Sequence, residues 1–498
     1  MTISPQEFWR SFKRLLSRKE SGHQEYREEK PKQIPSTGSG VASQPIRRKL
    51  EKVYLQVGLD FGTSSTKVMF SQIGRRGTRV ISFNHDLPNY PSYCLPSLAA
   101  IDDRGQLLLG TEAAKWLLNK GWDYGLQRFK VIVAGELNND FRDFATENNY
   151  KKYCIDHNCS DVLKPDRVTA IYLAYVMIEA RKMIESYQEY KDVELDIAFN
   201  ICMPIDYIER NSVKVAFEKT FSWAEAIENA WRINRHDFDI LKISYDTKNN
   251  ECIMDRRVFA VPEAVASIAS YLVSLRKREG LHALIDFGAG TTDVSICNLF
   301  VPYEESKSYW YSARNIPQGT VMIERIIASH IKSCHDNSFC TYSDVNDYLN
   351  NLNDSRFIDA DSTRIKSKIY NILQALKNSG DYYKTWGLAY RHLTKETAWE
   401  KVEVFVCGGG AKLPYIEKVF SEPWWEKINA CYPVSRLPIP NDYDDNGSAA
   451  PFERMTVAYG LTRPIPELET YVLPSEAPDH TPPIIRAKER DRDDLYPK

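Results

Sequence analysis

With 498 residues, 27% of them charged, and a formal net charge of −2, the chain has room for two to four domains or subdomains and no global basic field for nucleic acid. No apolar run approaches the roughly 18 residues that cross a bilayer, and no secretory apolar segment is expected at the start. Ten cysteines are scattered without a framework spacing, which predicts reduced thiols, buried at Cys202, Cys297 and Cys407, and a cytoplasmic protein.

Residues 4–19 read SPQEFWRSFKRLLSRK. Ser4, Pro5 and Glu7 form a capping-box start, Phe8, Trp9, Phe12, Leu15 and Leu16 share one helical face, and Arg10, Lys13, Arg14, Arg18 and Lys19 fall mostly on the other. Three seats suit such a helix: the protein's own body, a partner protein, or a peripheral membrane surface. Residues 20–50 are polar and carry Gly, Ser and Pro, a composition that predicts a disordered linker, so 1–51 forms a first unit. The body then alternates expected strands (53–60, 66–73, 195–202, 283–287, 292–299, 402–407) with expected helices (167–186, 205–220, 262–278, 320–333, 360–378), an α/β pattern. From about 466 to 498 the tail is again Pro-rich and charged. His330, Cys334, His335 and Cys340 cluster in sequence, but their spacing matches no zinc template.

One turn occurs twice. VGLDFGTSSTKVMF at 57–70 and ALIDFGAGTTDVSI at 283–296 superpose on Asp60 and Asp286; Asp-Phe-Gly repeats, Thr66 meets Thr292 and Val68 meets Val294. This predicts a duplicated β-hairpin, one copy in each half of the body. Gly62 and Gly288 let the backbone approach a ligand, and successive N–H groups there can form an anion-binding nest. The hydroxyls of Thr63, Ser64, Ser65 and Thr291 add donors. An aspartate cannot hold phosphate directly, so Asp60 and Asp286 imply a cation between, and Mg²⁺ held largely through water suits a lone carboxylate. Two facing hairpins would clamp a polyphosphate with its metal.

These stretches resemble the superfamily of actin, sugar-kinase and DnaK-type heat-shock chaperone ATPases. VGLDFGTSSTKV looks like its first phosphate motif and LIDFGAGTTDVSI like its second. VFVCGGGAKLPYIEKVF (404–420) looks like its adenosine motif, while VPEAVASIASYL and VAYGL resemble its connecting helices. The resemblance implies an actin-like fold duplicated around a nucleotide cleft, with lobe I over 52–279 and lobe II over 280–465, binding ATP and Mg²⁺. It also implies roles. Lys130 would reach the γ-phosphate and the attacking water, Asp60 and Asp286 would hold the metal's shell, and Glu263 would order water. Thr63 and Thr291 would meet phosphate oxygens, Gly288 and Gly290 would keep the second turn open, and Asp293 would be a further cleft aspartate. Gly408, Gly409 and Gly410 would line the nucleoside side, with Lys412 against the base.

YCLPSLAAIDDRGQLLLGTEAAKW (93–116) and LQRFKVIVAG (126–135) favour the chaperone branch. Lys67, seven residues after Asp60, stands where actins and many sugar kinases carry lysine and typical chaperones do not. Other departures are Ala289 in the second motif, a single Gly319 where chaperones show a glycine pair, and Arg454 where they usually carry an acid. The 35 residues after Arg463 leave no room for a β-sandwich substrate domain. The expectation is therefore a DnaK-like ATPase that switches a partner protein without binding client peptides. An actin-like filament former, recruited to a membrane through 4–19, is the alternative, and a small-molecule kinase comes third.

Overall fold

The computed structural model describes residues 50–135, 155–156, 165–233, 257–300, 307–335, 342–352, 360–428, 430–468 and 470–478. The helix expected at 4–19, the linker, Cys340 and the tail beyond 478 lie outside them. In chain order the strands are β1 (Glu51–Phe61), β2 (Ser65–Gln72), β3 (Thr78–Val80), β4 (Leu95–Pro96), β5 (Leu98–Ile101), β6 (Leu107–Leu109), β7 (Gly125–Gln127), β8 (Val193–Met203) and β9 (Val258–Pro262). They continue with β10 (Gly280–Phe287), β11 (Thr292–Phe300), β12 (Lys307–Ile316), β13 (Glu403–Gly408), β14 (Val434–Arg436), β15 (Tyr443–Asp444) and β16 (Thr470–Val472). β1 is apolar on one face, where Val57, Leu59 and Phe61 are completely buried, and its other face carries Gln56 and Asp60, buried as well, as in a central strand covered on both sides.

The two large sheets repeat one topology. Five strands of the first run β3-β2-β1-β8-β9 and five of the second run β12-β11-β10-β13-β14. In both, the first three strands pair antiparallel and the last two join parallel. β15 adds to the outer edge of the first sheet and β16 to that of the second, and β6-β5-β7 form a separate small sheet. The chain is therefore mixed α/β, as its alternating pattern predicts. Segments that follow the second sheet in sequence return to the first: Leu437, Phe452 and Met455 join the core built around β1.

Two expected helices end differently. The one expected over 205–220 is split into Ile205–Glu209 and Asn211–Ile233, with Arg210 extended between them (φ −97°, ψ 99°). Arg210 Nε donates to the Asp206 carbonyl and Nη2 reaches its carboxylate, both at 3.2 Å. The helix expected over 262–278 stops at Leu272. There the Ser274 hydroxyl donates to Tyr271 O and accepts from Arg276 N, a local alternative to helical bonding.

Glu263–Leu272 is buried along its whole length and crosses Thr456–Leu461 with backbone in contact. A Cβ on Gly460 would fall 1.9 Å from Ala266 O, and one on Gly58 of β1 would fall 2.4 Å from Ala458 O. Glycine at both points lets these helices stack directly behind the ends of β1 and β10, where the two repeated turns lie.

Candidate nucleotide-type cleft

Both hairpins close through the same geometry. A Cβ on Gly62 would sit 2.4 Å from Ser65 O, and one on Gly288 would sit 2.8 Å from Thr291 O. No side chain fits at either corner. The turns also meet each other: a Cβ on Gly290 would lie 3.0 Å from Thr63 Cγ2. Gly319 is pressed on the second turn, its missing Cβ 2.4 Å from Ala289 O, while Thr320 N and Val321 N donate to Gly288 O and Ala289 O at 3.0 Å. That loop braces the phosphate-type turn from behind.

Strand register then sets the charges. Asp60 pairs with Lys67 across the first hairpin, and Asp286 pairs with Asp293 across the second. The equivalent positions thus hold an ion pair in one half and two carboxyl groups in the other. Lys67 Nζ donates to Asp60 Oδ2 at 2.5 Å. Opposite it, Asn315 Nδ2 donates to Asp293 Oδ1 at 3.0 Å. Each aspartate also has a buried cysteine on its parallel neighbour strand: Cys407 is in register with Asp286, and Cys202 Sγ lies 3.7 Å from Asp60 Oδ1.

Lys130 arrives from outside the sheets. Arg128 adopts a left-handed conformation (φ 63°), starting the short helix Phe129–Val133, and Phe129 packs on Tyr172 with ring centroids 4.9 Å apart. This turns Lys130 inward, buried, where it is ion-paired with Glu263 at the start of its helix. Glu263 follows Pro262, which ends β9.

Burial and the neighbouring charges act together on these groups. Burial, then Glu263 and Asp60, push Asp286 up to about 7 against the pull of Lys67 and Lys130. Burial, with Glu263 behind it, pushes Asp293 well above the carboxylate range. For the lysines burial is the largest influence and opposes the charge, but the surrounding acidic groups together outweigh it, Asp60 foremost at Lys67 and Glu263 foremost at Lys130, so both ammonium groups are held charged.

One cavity collects most of the predicted set. Asp60, Gly62, Thr63, Ser64, Ser65, Lys67, Lys130, Glu263, Asp286, Gly288, Thr291, Asp293, Gly408 and Gly409 line it. Gly290, Gly410 and Lys412 are not among the lining residues. Gly410 instead serves packing, since a Cβ there would meet Phe287 Cβ at 2.5 Å. Gly408 has φ +80° and comes so close to Asp286 Oδ1 that a Cβ would lie 2.2 Å from it, so only glycine suits the position.

The lining also includes Tyr90, Glu324 and, from just before the last helix, Arg454. Tyr90 is hydrogen-bonded to Ser64, and burial pushes its phenol up to about 12. Sequence reading passed over it. The only signal was an aromatic pair bracketed by prolines in LPNYPSYCLP, between β3 and β4.

Six acidic and three basic side chains face this cavity. An unaccompanied polyphosphate would be repelled there, whereas a divalent cation makes the balance favourable. The oxygens fit such an ion. Ligand atoms of Asp60, Cys202 and Glu263 lie within 4.8 Å of one another, but burial pushes the Cys202 thiol well up, and a protonated soft ligand is no partner for a hard cation. Of these three, only the carboxylate oxygens are donors for a hard cation, and the thiol serves as packing. No family model matches the chain and no curated protein matches it.

Proposed function

We propose that the chain is a Mg²⁺-dependent ATPase of the DnaK-like kind, working as a nucleotide-driven switch on a partner protein in the cytoplasm. The observation that carries this reading is the meeting of two equivalent hairpin turns, Gly62–Ser65 and Gly288–Thr291, over one cavity. The repeated five-strand order supports reading the body as a duplicated actin-like fold, with the cleft between its halves. Backbone N–H groups of the turns and the hydroxyls of Thr63 and Thr291 would receive phosphate oxygens. Lys67 and Lys130 would supply ammonium groups. Bound Mg²⁺ would neutralise phosphate charge, held by Asp286 with Asp60 and Asp293 nearby. Glu263, fixed by Lys130, would orient a water on the reacting phosphoryl group. Phosphoryl transfer asks mainly for such positioning and charge neutralisation.

Phosphate release from Mg-ATP over a hundredfold range of protein concentration tests the reading, with Asp286→Asn as control. A low rate per molecule, independent of concentration and lost in the variant, is expected. A threshold and steep rise would favour the filament-forming alternative. No nucleotide binding at all would sink the assignment.

A further inference from the structure

Arg454 is held in the cleft by its surroundings. It ends the short turn Phe452–Arg454, whose Arg454 N–H donates to Pro451 O at 3.0 Å. Phe452 anchors that turn, buried edge-on against Tyr443 and Tyr459 with centroids 5.0 and 5.6 Å away. The guanidinium lies over the Tyr93 ring, 5.7 Å from its centroid, and lines the same cavity as the two turns. Its neighbour Glu453 is engaged by Arg436 at 3.2 Å. The Arg454 charge also bears on Lys67 and works against that ammonium. A second cation this near Lys67 raises the positive potential on that side of the cavity, which favours an anion there.

We propose that Arg454 is a substrate-binding residue of the cleft, gripping phosphoryl oxygens of the bound polyphosphate together with Lys67. This rests on the cleft being a metal–polyphosphate site. A guanidinium offers planar, paired donors that match phosphate oxygens, and its cation–π contact with Tyr93 helps keep it at the cavity. The turn belongs to a segment packed in the core that surrounds β1, the strand whose hairpin partner carries Lys67. The arginine thereby raises the cationic side of an otherwise acid-rich cavity where the phosphates enter.

The test is calorimetric titration of the full chain with Mg-ADP and, separately, with Mg-tripolyphosphate, for wild type, Arg454→Gln and Arg454→Lys. A charge-assisted contact predicts roughly a 10- to 100-fold loss of affinity for both ligands in Arg454→Gln. Arg454→Lys should recover part of it, and in turnover the loss should fall on KM rather than kcat. The thermal midpoint without ligand reports whether the variant folds. Equal affinities in wild type and Arg454→Gln overturn the proposal. Wild type that takes Mg-tripolyphosphate in an Arg454-dependent way but no nucleotide upholds Arg454 and removes the ATPase reading. Wild type that takes neither overturns both.

Discussion

Asp286 faces Asp293 across the second hairpin, at the register positions that Asp60 and Lys67 occupy in the first. Two aspartates that look equivalent in sequence therefore have opposite electrostatic surroundings. Asp60→Asn strips a buried ammonium of its carboxylate, since the Lys67 side chain is only 15% exposed, and the expected loss of stability is about 3 kcal/mol. Asp286→Asn removes a buried carboxyl whose ionisation is opposed by burial and by the charges of Glu263 and Asp60, and should raise stability at neutral pH by on the order of 1 kcal/mol. Both substitutions should weaken Mg-nucleotide binding. Urea unfolding of the two variants without ligand decides it, and shifts of the same sign would refute the contrast.

The contact between Gly290 and Thr63 predicts how tightly the two turns can close. A methyl at 290 would need a few tenths of an ångström of movement from Thr63 Cγ2, and a branched side chain would need far more. Gly290→Val should prop the turns apart, at an overpacking cost of about 1–3 kcal/mol. Mg-nucleotide affinity should fall more than tenfold while Gly290→Ala sits between. Titration of both variants measures this. Unchanged affinity in Gly290→Val would mean that the turns do not close on the ligand.

Another pair joins the halves outside the cavity. Arg314 of β12 reaches Asp206 at 3.4 Å, and Ser475 donates to Glu209 of the same short helix at 3.0 Å. Asp206 lies just beyond the end of β8, and Arg314 precedes Asn315, which holds Asp293. The bridge is partly exposed, so its strength is about 0.2–1 kcal/mol. Arg314→Gln should speed nucleotide release up to about fivefold and leave unfolding nearly unchanged. Stopped-flow release of a fluorescent nucleotide measures it, and a double cycle with Asp206→Asn removes the Arg210 contribution.

His282 predicts a limit on the acid side. Burial, with Arg278 adding to it and the Gly280 carbonyl opposing, lowers its pKa from 6.5 to about 4. The unfolded chain takes up this proton near pH 6.5 and the folded protein only near pH 4. Stability from this residue is thus complete above 6.5 and lost as pH falls towards 4, by on the order of 3 kcal/mol. His282→Gln keeps a hydrogen-bonding group beside Tyr271 and should flatten the profile between those values. A wild-type profile that is no steeper would count against the buried neutral imidazole.

The repeated Asp-Phe-Gly turns were legible because glycine, hydroxyls and a terminal aspartate each have a local reason to occur there. The correspondence of the copies could be read as well, Thr66 with Thr292 and Val68 with Val294, whereas the pairing of each threonine with Phe61 or Phe287 across its own hairpin came from the structure. What sequence could not show was partnership over long separations. Lys67 read as a phosphate contact, and nothing local said that it would sit on Asp60. Lys130 and Glu263 are 133 positions apart. Tyr90 carries only the weak signal of its proline-bracketed aromatic pair, because its place over Ser64 depends on how β4 pairs with β2. Helix ends failed for a different reason: Ser274 and Arg210 make side-chain bonds that compete with the helix, and hydrophobic periodicity does not register them.

Glycines give the final contrast. At Gly460 the absent Cβ would be 1.9 Å from Ala266 O, with Ala266 C at 2.5 Å. Backbone is the obstacle there, so no side-chain rotation relieves it, and the two helices behind the cleft must part. Gly460→Ala should cost more than about 3 kcal/mol and yield little folded protein. Gly380 opens the helix Gly380–His392 behind a Ser379 cap, and a Cβ there meets nothing within 4 Å. Its φ is not positive, so Gly380→Ala only narrows the unfolded ensemble and should add about 0.4–1 kcal/mol. Soluble yield and thermal midpoint, measured side by side, test the pair. A Gly460→Ala protein as stable as wild type would show that the helices behind the cleft are not in backbone contact, and with them would go the stacking that places Glu263 beside Lys130.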